Sequence, residues 1–114
     1  MLNVAIIMGR ITKDLELKET PNNVAVTTFT VAVNRDYTKQ GEEKKADFIN
    51  VTAWRNTAEF VTKYFKKGSS IVVKGTIQTR DYTDKDGNKR TFFEIVASDV
   101  YFGESKNQRI RDDW

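Results

Sequence analysis

Residues 48–80 read FINVTAWRNTAEFVTKYFKKGSSIVVKGTIQTR, and this stretch combines a strand pattern, a helix pattern and a second strand pattern. Residues 48–54 alternate apolar and polar side chains, which is typical of a strand with one buried face. Residues 70–80 show the same alternation. Between the two strands, apolar residues recur at the spacing of one helix face: Ala58, Val61 and Phe65. The stretch therefore predicts a strand, a helix and a strand in succession.

The predicted helix has signals at both ends. Asn56 is a favoured N-cap residue, and Glu59 stands where a capping box places its acidic member. Gly68 is suited to end the helix, and the lysines before it suit the negative end of the helix dipole. Three aromatic residues are predicted to be core because of their helical spacing: Phe60, Tyr64 and Phe65.

Three further segments read as strands. They are residues 1–9, the β-branched run VAVTTFTVAVN at residues 24–34, and residues 90–102. Asp86-Gly87 is a hairpin signal before the last of them. Five strands with a helix between the third and the fourth predict an all-β protein with one helix, folded as a five-stranded OB-fold barrel. Closure into a barrel is favoured because it removes exposed strand edges.

Composition narrows the chemistry that the chain can perform. It has 114 residues, which corresponds to about one domain, a net charge of +3, and neither Cys nor His. Thiol nucleophiles, disulfides, imidazole acid–base catalysis and thiolate or imidazole metal sites are therefore excluded. The sequence also contains neither a GxxxxGKS/T phosphate loop nor a GxGxxG motif. These absences favour binding over catalysis, and we expect a non-enzymatic protein with no cofactor and no metal.

The sequence lacks the features of a transmembrane helix and of a signal peptide. No apolar run approaches the ~18 residues of a transmembrane helix, and the N-terminus lacks the basic lead and cleavage site of a signal peptide. We therefore expect a cytoplasmic protein with no membrane partner. Residues 1–102 are the predicted domain. Residues 103–114 read as a short, polar and disordered tail, because they show no strand or helix periodicity.

Strand parity separates the two faces of the strands on either side of the helix. The predicted core sets are Ile49, Val51 and Ala53 in the first strand, and Ile71, Val73, Gly75 and Ile77 in the second. The outward sets are Phe48, Asn50, Thr52 and Trp54, and Lys74, Thr76, Gln78, Arg80 and Tyr82. A merely solvated face has no need of large aromatic side chains, so the outward faces are candidates for a functional site.

Two interpretations of the outward aromatic residues remain open. They can cover a second small core or a subunit contact. Alternatively, they are platforms on which nucleobases stack, with neighbouring Lys and Arg side chains following the phosphates. Three aromatic–basic pairings fit the second interpretation: Trp54 with Arg55, Tyr82 with Arg80, and Tyr37 with Arg35 and Lys39.

Four segments resemble the bacterial and phage single-stranded DNA-binding proteins of the SSB type. They are NVAIIMGRITKDLELK at residues 3–18, FTVAVNRDY at 29–37, ADFINVTAWRNTAEFVTKYFKKGSSIVVKGTIQTRDYTD at 46–84, and FEIVASDVYF at 93–102. The long central block is the most specific, because its strand, its helix and its Gly-x-x-x-Thr-Arg-x-aromatic element follow the order of that family. The resemblance covers residues 1–102.

The resemblance implies an OB fold, usually assembled as a homotetramer, that binds single-stranded DNA with little sequence preference. It implies a role in replication, recombination and repair, without catalysis or metal. The family's stacking residues correspond to Tyr37, Phe48, Trp54 and Tyr82 in this sequence. Its phosphate contacts correspond to Lys67 and Arg80, with Arg55 and Lys66 as further matches, and Arg35 beside Tyr37 completes the candidate DNA contacts.

The C-terminus departs from the common form of that family, which continues into a long tail with an acidic tip that recruits replication and repair enzymes. This chain ends in Asp112-Asp113-Trp114 and resembles a short form, so the recruitment of such partners is an open question. Two other functions remain as alternatives. One is an OB protein of the primosomal kind, which acts mainly through protein contacts. The other is a nuclease with carboxylate-bound Mg²⁺, which needs converging acidic side chains that the predicted outward faces do not carry.

Overall fold

The computed structural model describes residues 1–36, 41 and 45–103. These residues form six strands and one helix, in the order β1 (Ala5–Ile11), β2 (Lys18–Glu19), β3 (Ala25–Asn34), β4 (Ala46–Trp54), α1 (Arg55–Tyr64), β5 (Ser70–Thr83) and β6 (Lys89–Phe102). β2 is a two-residue piece beside β3. Among the five long strands the helix lies between the third and the fourth, so the predicted all-β barrel with one helix is confirmed.

The five long strands form a closed ring. β1 pairs with β5, β5 with β6, β6 with β4, β4 with β3, and β3 again with β1. The pairing of β4 with β6 is parallel and short, whereas the other pairings of the ring are antiparallel. Closure of this kind gives each long strand a partner on both sides over part of its length.

β1 differs from the predicted strand at both ends. The sequence predicts a strand over residues 1–9 that ends at Gly9, whereas β1 begins at Ala5 and continues to Ile11. Gly9 lies where β1, already paired with β5, begins to pair with β3. A Cβ atom on Gly9 would collide with the backbone carbonyl of Ala32. Gly9 therefore allows the close approach that closes the ring.

The barrel interior is filled by side chains from all five long strands. The buried apolar strand residues are Ile11, Phe29, Val31, Val51, Ala53, Ile71, Val73, Ile95 and Ala97. The helix adds the three residues predicted from helical spacing, Ala58, Val61 and Phe65. Ile77 was predicted to be core and is exposed, because β1 pairs with β5 only as far as Gly75 and Ile77 lies beyond that limit.

The start of α1 also differs from the prediction. The helix begins at Arg55, and the preceding residue, Trp54, makes no side-chain cap hydrogen bond. Trp54 is extended and Arg55 has a φ of 55°, so β4 turns into α1 directly through these two residues. The capping box predicted from Asn56 and Glu59 is therefore wrong, because Asn56 already lies inside the helix.

The end of α1 comes earlier than predicted. The helix ends at Tyr64, and the N–H of Phe65 donates to the carbonyl oxygen of Val61 at 3.0 Å. Gly68, the predicted end residue, lies further along in the turn before β5, with a φ of 88°. Its N–H donates to the carbonyl oxygen of Ile11 at 2.7 Å, so Gly68 ties this turn to β1. Of the described residues, none belongs to a helix with the length and apolarity that a membrane crossing needs.

Candidate nucleic-acid interface

β4 carries two exposed aromatic side chains on its outward face. Phe48 is 68% exposed and Trp54 is 41% exposed, whereas Val51 and Ala53, which alternate with them, are fully buried. This is the division of faces that strand parity predicts. Phe48 lies opposite Ala32 on β3. Since the Ala32 side chain is a single methyl group, it leaves most of the Phe48 ring open to solvent.

The hairpin of β5 and β6 presents a second group of aromatic and basic side chains. Arg80 pairs with Phe92 across the hairpin, and its guanidinium carbon lies 4.8 Å from the centroid of the Phe92 ring, a cation–π contact. Tyr82 is 49% exposed and pairs with Arg90. Arg80, Tyr82 and Phe92 line one shallow cleft. The structure thus brings an exposed phenol, a second ring and a cation together on the hairpin.

Asp84 fixes the turn of this hairpin. Its Oδ1 atom accepts hydrogen bonds from the N–H groups of Asp86 at 3.0 Å and Asn88 at 2.9 Å. Its Oδ2 atom accepts one from Nε of Arg90 at 3.0 Å. The hydrogen bond from Arg90, followed by the one from Asn88, lowers the pKa of Asp84 from its usual value. The ionised Asp84 holds Arg90 in place next to Tyr82.

The middle of the outward face is polar rather than aromatic. Thr52 and Glu94 are both buried there, and Thr52 Oγ1 donates to Glu94 Oε2 at 2.6 Å. Nearby on the same face, Thr30 Oγ1 donates to Asn50 Oδ1 at 3.1 Å. Glu94 adds one acidic side chain to this face from β6, the strand whose faces the sequence left unassigned. Within residues 1–36, 41 and 45–103, no three acidic side chains converge to hold a metal ion.

Arg35 is engaged by an acidic neighbour. Its Nε atom donates to Asp47 Oδ2 at 3.1 Å and its Nη2 atom to Asp47 Oδ1 at 3.0 Å, across the β3–β4 pair. This hydrogen bonding is the largest cause that lowers the pKa of Asp47 and raises that of Arg35. A phosphate must therefore compete with Asp47 for Arg35. Tyr37, predicted to stack beside Arg35, lies outside the described residues, as does Lys39.

The remaining basic candidates lie apart from one another. Arg55 is exposed and follows Trp54 directly, at the start of α1. Lys67 lies in the turn between α1 and β5, where its backbone N–H donates to Asp14 Oδ1 at 3.0 Å. Arg80 lies near the opposite end of β5 from this turn. Arg55 is thus the chain neighbour of Trp54, Arg80 shares a cleft with Tyr82, and Lys67 lies away from both pairs along the chain path.

A second aromatic group, which we name the helix-end cluster, consists of Phe60, Tyr64, Phe65 and Phe102. The Phe65 and Phe102 rings are stacked, with centroids 4.8 Å apart and planes at 16°. The Phe60 and Tyr64 centroids are 5.0 Å apart. Phe65 is buried, but Phe60 and Tyr64 are exposed, so the prediction that these two residues are core is wrong. They lie on the side of α1 that meets Phe102 instead of the barrel interior.

Sequence reasoning missed Phe92 and Glu94 as members of the outward face. Aromatic residues on β6 fall on both parities, so the pattern alone left the faces of this strand unassigned. The Asp86-Gly87 turn contains the missing signal. A hairpin closed at this turn pairs Arg80 with Phe92 and Gln78 with Glu94. Directly paired residues lie on the same face of a sheet, so Phe92 and Glu94 share the outward face of Arg80 and Gln78.

Together these features define a class: a small OB-fold barrel with exposed aromatic and basic side chains on the outward faces of neighbouring strands. Residues 2–103 match the Single-strand binding protein family. The match covers nearly the whole chain, and the protein belongs to this family, as the resemblance predicts.

Named relatives from three bacteria agree with this assignment. The chain is 49% identical over 110 residues to single-stranded DNA-binding protein 2 of Listeria monocytogenes, covering 96% of this chain and 69% of the relative. It is 50% identical over 107 residues to single-stranded DNA-binding protein A of Bacillus subtilis, covering 94% and 62%. It is also 50% identical over 107 residues to single-stranded DNA-binding protein 2 of Staphylococcus aureus, covering 94% and 76%. These names describe DNA binding and no catalysed reaction.

Proposed function

We propose that this protein binds single-stranded DNA with little sequence preference and protects it in the cytoplasm during replication, recombination and repair. The observation that carries the proposal is the set of exposed rings on the outward faces of β4 and β5: Phe48, Trp54 and Tyr82. Every base has a π-face, so stacking on such rings tolerates any sequence and contributes about 1–3 kcal/mol per base. The names of the relatives support the same ligand.

Phosphate contacts complete the proposed mechanism. Arg80 and Arg55 each accompany one of the exposed rings, which places a cation where the backbone of a stacked nucleotide passes. Lys67 extends the basic positions beyond α1, and Arg35 joins them when a phosphate replaces Asp47. Tyr37 is a proposed fourth stacking residue that lies outside the described residues. Because the net charge is only +3, binding depends on these local cations and not on the overall charge.

The proposal is tested by comparing oligo-dT with a duplex of equal length, using fluorescence anisotropy of the labelled DNA. We expect much tighter binding of oligo-dT, because stacked base pairs cannot offer their π-faces to Phe48, Trp54 and Tyr82. Equal affinities for the two DNA forms would contradict the stacking mechanism. Incubation of the labelled oligonucleotide with the protein and Mg²⁺ is the control for the nuclease alternative, and we expect intact DNA.

We also propose that the protein assembles as a homotetramer. Val4, just before β1, and Ile6 and Met8 on its outward side form a row of exposed apolar side chains. The ladder continues this row, since Met8 pairs with Val72 and Val72 pairs with Tyr101. An apolar strip that crosses three strands is a typical subunit contact, because a monomer gains by covering it.

Light scattering with and without oligo-dT tests the assembly. We expect the mass of four chains in both cases. Ile6→Lys places a charge in the apolar strip and should lower the mass, whereas Lys13→Glu, also an exposed charge change but outside β1, should leave it unchanged. A monomeric mass for the unaltered protein at high concentration would contradict the tetramer.

A further inference from the structure

Glu94 is an acidic side chain in a surface that we propose to bind a polyanion. It is only 8% exposed and lies on the outward face, where its Oε2 atom accepts the hydrogen bond from Thr52. Its Oε1 atom makes no hydrogen bond to a described residue. Every buried side-chain nitrogen and oxygen atom in this part of the chain has a partner, so Oε1 must reach solvent. Glu94 therefore has one oxygen held by Thr52 and one that contacts solvent.

The neighbours of Glu94 form a floor of hydrogen-bonding groups. Gln78 lies directly opposite on β5, and Asn50 shares the outward parity of Thr52 on β4. Exposed rings lie on either side of this floor along β4, with Phe48 at one end and Trp54 at the other. A base stacked on either ring turns its edge toward neighbouring side chains of the face, which are polar here.

The charge of Glu94 decides which part of a nucleotide can approach this floor. A carboxylate repels phosphate, and the repulsion is strong where burial limits screening by water. The sugar–phosphate backbone therefore passes outside the floor, near the cations, and base edges point inward. A carboxylate oxygen accepts hydrogen bonds only, so it favours a base edge that donates. Cytosine presents the N4 amino group as a donor, whereas thymine presents the O4 acceptor at the same position.

We infer that Glu94 is a specificity-determining residue of the DNA-binding face: its Oε1 atom accepts a hydrogen bond from the exocyclic amino group of a bound cytosine and disfavours thymine there. This inference rests on the proposed binding of single-stranded DNA. Thr52 holds the carboxylate in position, and Gln78 flanks it on the side of the hairpin. The resulting discrimination is superimposed on stacking, which accepts any base.

The inference is tested with oligo-dC, oligo-dU and oligo-dT of one length, about the 4–16 nucleotides that one OB fold covers. Oligo-dU separates the effect of the O4 atom from that of the thymine methyl group. Dissociation constants are measured by anisotropy for the unaltered protein and for Glu94→Gln, whose amide can also donate. We expect Glu94→Gln to reduce the ratio of the oligo-dU to the oligo-dC dissociation constant by about 3- to 10-fold, the contribution of one hydrogen bond. Intrinsic differences between the bases cancel in this comparison.

Two further variants make the result unambiguous. Glu59→Gln removes the same charge from the exposed surface of α1 and should leave the ratio unchanged. Gln78→Glu keeps Glu94 and adds a second carboxylate on the opposite strand, so it should raise the ratio. If Glu94→Gln does not fold, Gln78→Glu alone decides, and an unchanged ratio in it overturns the inference.

The outcomes also separate this inference from the proposed function. Failure of the unaltered protein to bind any of the three oligonucleotides would contradict single-strand binding itself. Normal binding with a ratio that Glu94→Gln leaves unchanged would overturn only the role of Glu94. The Thr52–Glu94 hydrogen bond would then be a structural contact of the barrel wall.

Discussion

The outward face and the helix-end cluster both expose aromatic side chains, yet their rings have different neighbours. In the helix-end cluster, Phe65 and Phe102 stack on each other, and Phe60 contacts both of them. On the outward face, Phe48 and Trp54 contact no other ring in the described part of the chain. A ring that packs against another ring has part of its π-face covered, whereas a ring without such a neighbour has its π-face available for stacking with a base. Ring neighbours therefore distinguish the two regions better than exposure does.

The largest effect that this comparison predicts is on stability. Phe65→Ala removes the buried ring of the helix-end cluster and should lower the free energy of unfolding by about 3–5 kcal/mol. Phe48→Ala removes an exposed ring and should change it by only about 0.5 kcal/mol. Urea unfolding followed by circular dichroism measures both values. A similar loss in both variants would mean that Phe48 covers a core of its own.

The second prediction concerns affinity and isolates one ring of the outward face. Trp54→Ala should weaken oligo-dT binding by about 1–3 kcal/mol for each base that loses its platform, with a larger total in an oligomer. Trp54→Phe retains a ring and should keep most of the affinity. Since stacking on an indole generally quenches its emission, oligo-dT should dim the fluorescence of the unaltered protein and have little effect on that of Trp54→Phe.

The other tryptophan, Trp114, is the matched control for this prediction. Trp114→Phe should change neither the quench nor the affinity. Loss of the quench in Trp114→Phe would show that the C-terminus contacts the DNA, and Trp54 would then belong to a subunit contact.

Strand parity was sufficient to predict Phe48 and Trp54 on the outward face, because a strand alternates sides whatever its partners are. The same reasoning could not predict the helix-end cluster. Its fourth ring, Phe102 at the end of β6, is distant in sequence, and the helix pattern does not show that this ring meets the side of α1 that carries Phe60 and Tyr64. The sequence also could not predict that β4 continues directly into α1. Asn is a favoured N-cap residue and Trp is not, so the pattern places the start of the helix at Asn56 and not after Trp54.

The third prediction asks whether the DNA path reaches from one region to the other. Affinity for oligo-dT should fall with salt, with a slope of about −0.7 for each phosphate neutralised on a single strand. Arg80→Gln, on the hairpin, and Lys67→Gln, beside α1, should each reduce the magnitude of the slope by about 0.7. Anisotropy titrations at several salt concentrations measure it. If only Arg80→Gln changes the slope, the path is confined to the outward face and Lys67 is not a phosphate contact.

The smallest predicted effect concerns the Arg35–Asp47 ion pair, which lies where β3 ends and β4 begins. Because the pKa of Asp47 is lowered in the folded protein, chiefly by the hydrogen bond from Arg35, the pair stabilises the fold above the usual carboxyl pKa. This contribution is lost as the pH falls through the lowered pKa. Both side chains are largely exposed, so the effect is small. Asp47→Asn should melt slightly lower than the unaltered protein at neutral pH and equally at about pH 2.

The matched control for this prediction is Asp36→Asn, which removes a neighbouring exposed carboxylate and leaves the Arg35–Asp47 pair intact, so its melting temperature at neutral pH should stay close to that of the unaltered protein. A gap in melting temperature that persists for Asp47→Asn at the lowest pH would contradict a charge effect and point to altered packing.

Strand pairing was the part of the fold that the sequence could not supply. Each strand was recognisable by its own pattern, but Phe92 joined the site through its pairing with Arg80, and Glu94 through its pairing with Gln78. Such pairings depend on residues that are distant in sequence and on one turn, Asp86-Gly87, whose register must be known first. The residues that parity alone predicts are those on strands with one clearly buried face.

The closure of the ring by β1 has a consequence for the order in which the barrel is completed. The β5–β6 hairpin joins neighbours in the chain, whereas β1 must find β5, which pairs Ala5 with Gly75. Contacts of such long sequence separation carry a high loop-closure entropy and slow the folding of β-barrels. During synthesis β1 is made before the other strands of the ring, but its partner β5 emerges only after the helix. The β1 side chains that pack against β5 consequently stay uncovered until the helix and β5 have been made, and transiently exposed apolar surface of this kind makes a nascent chain prone to aggregation.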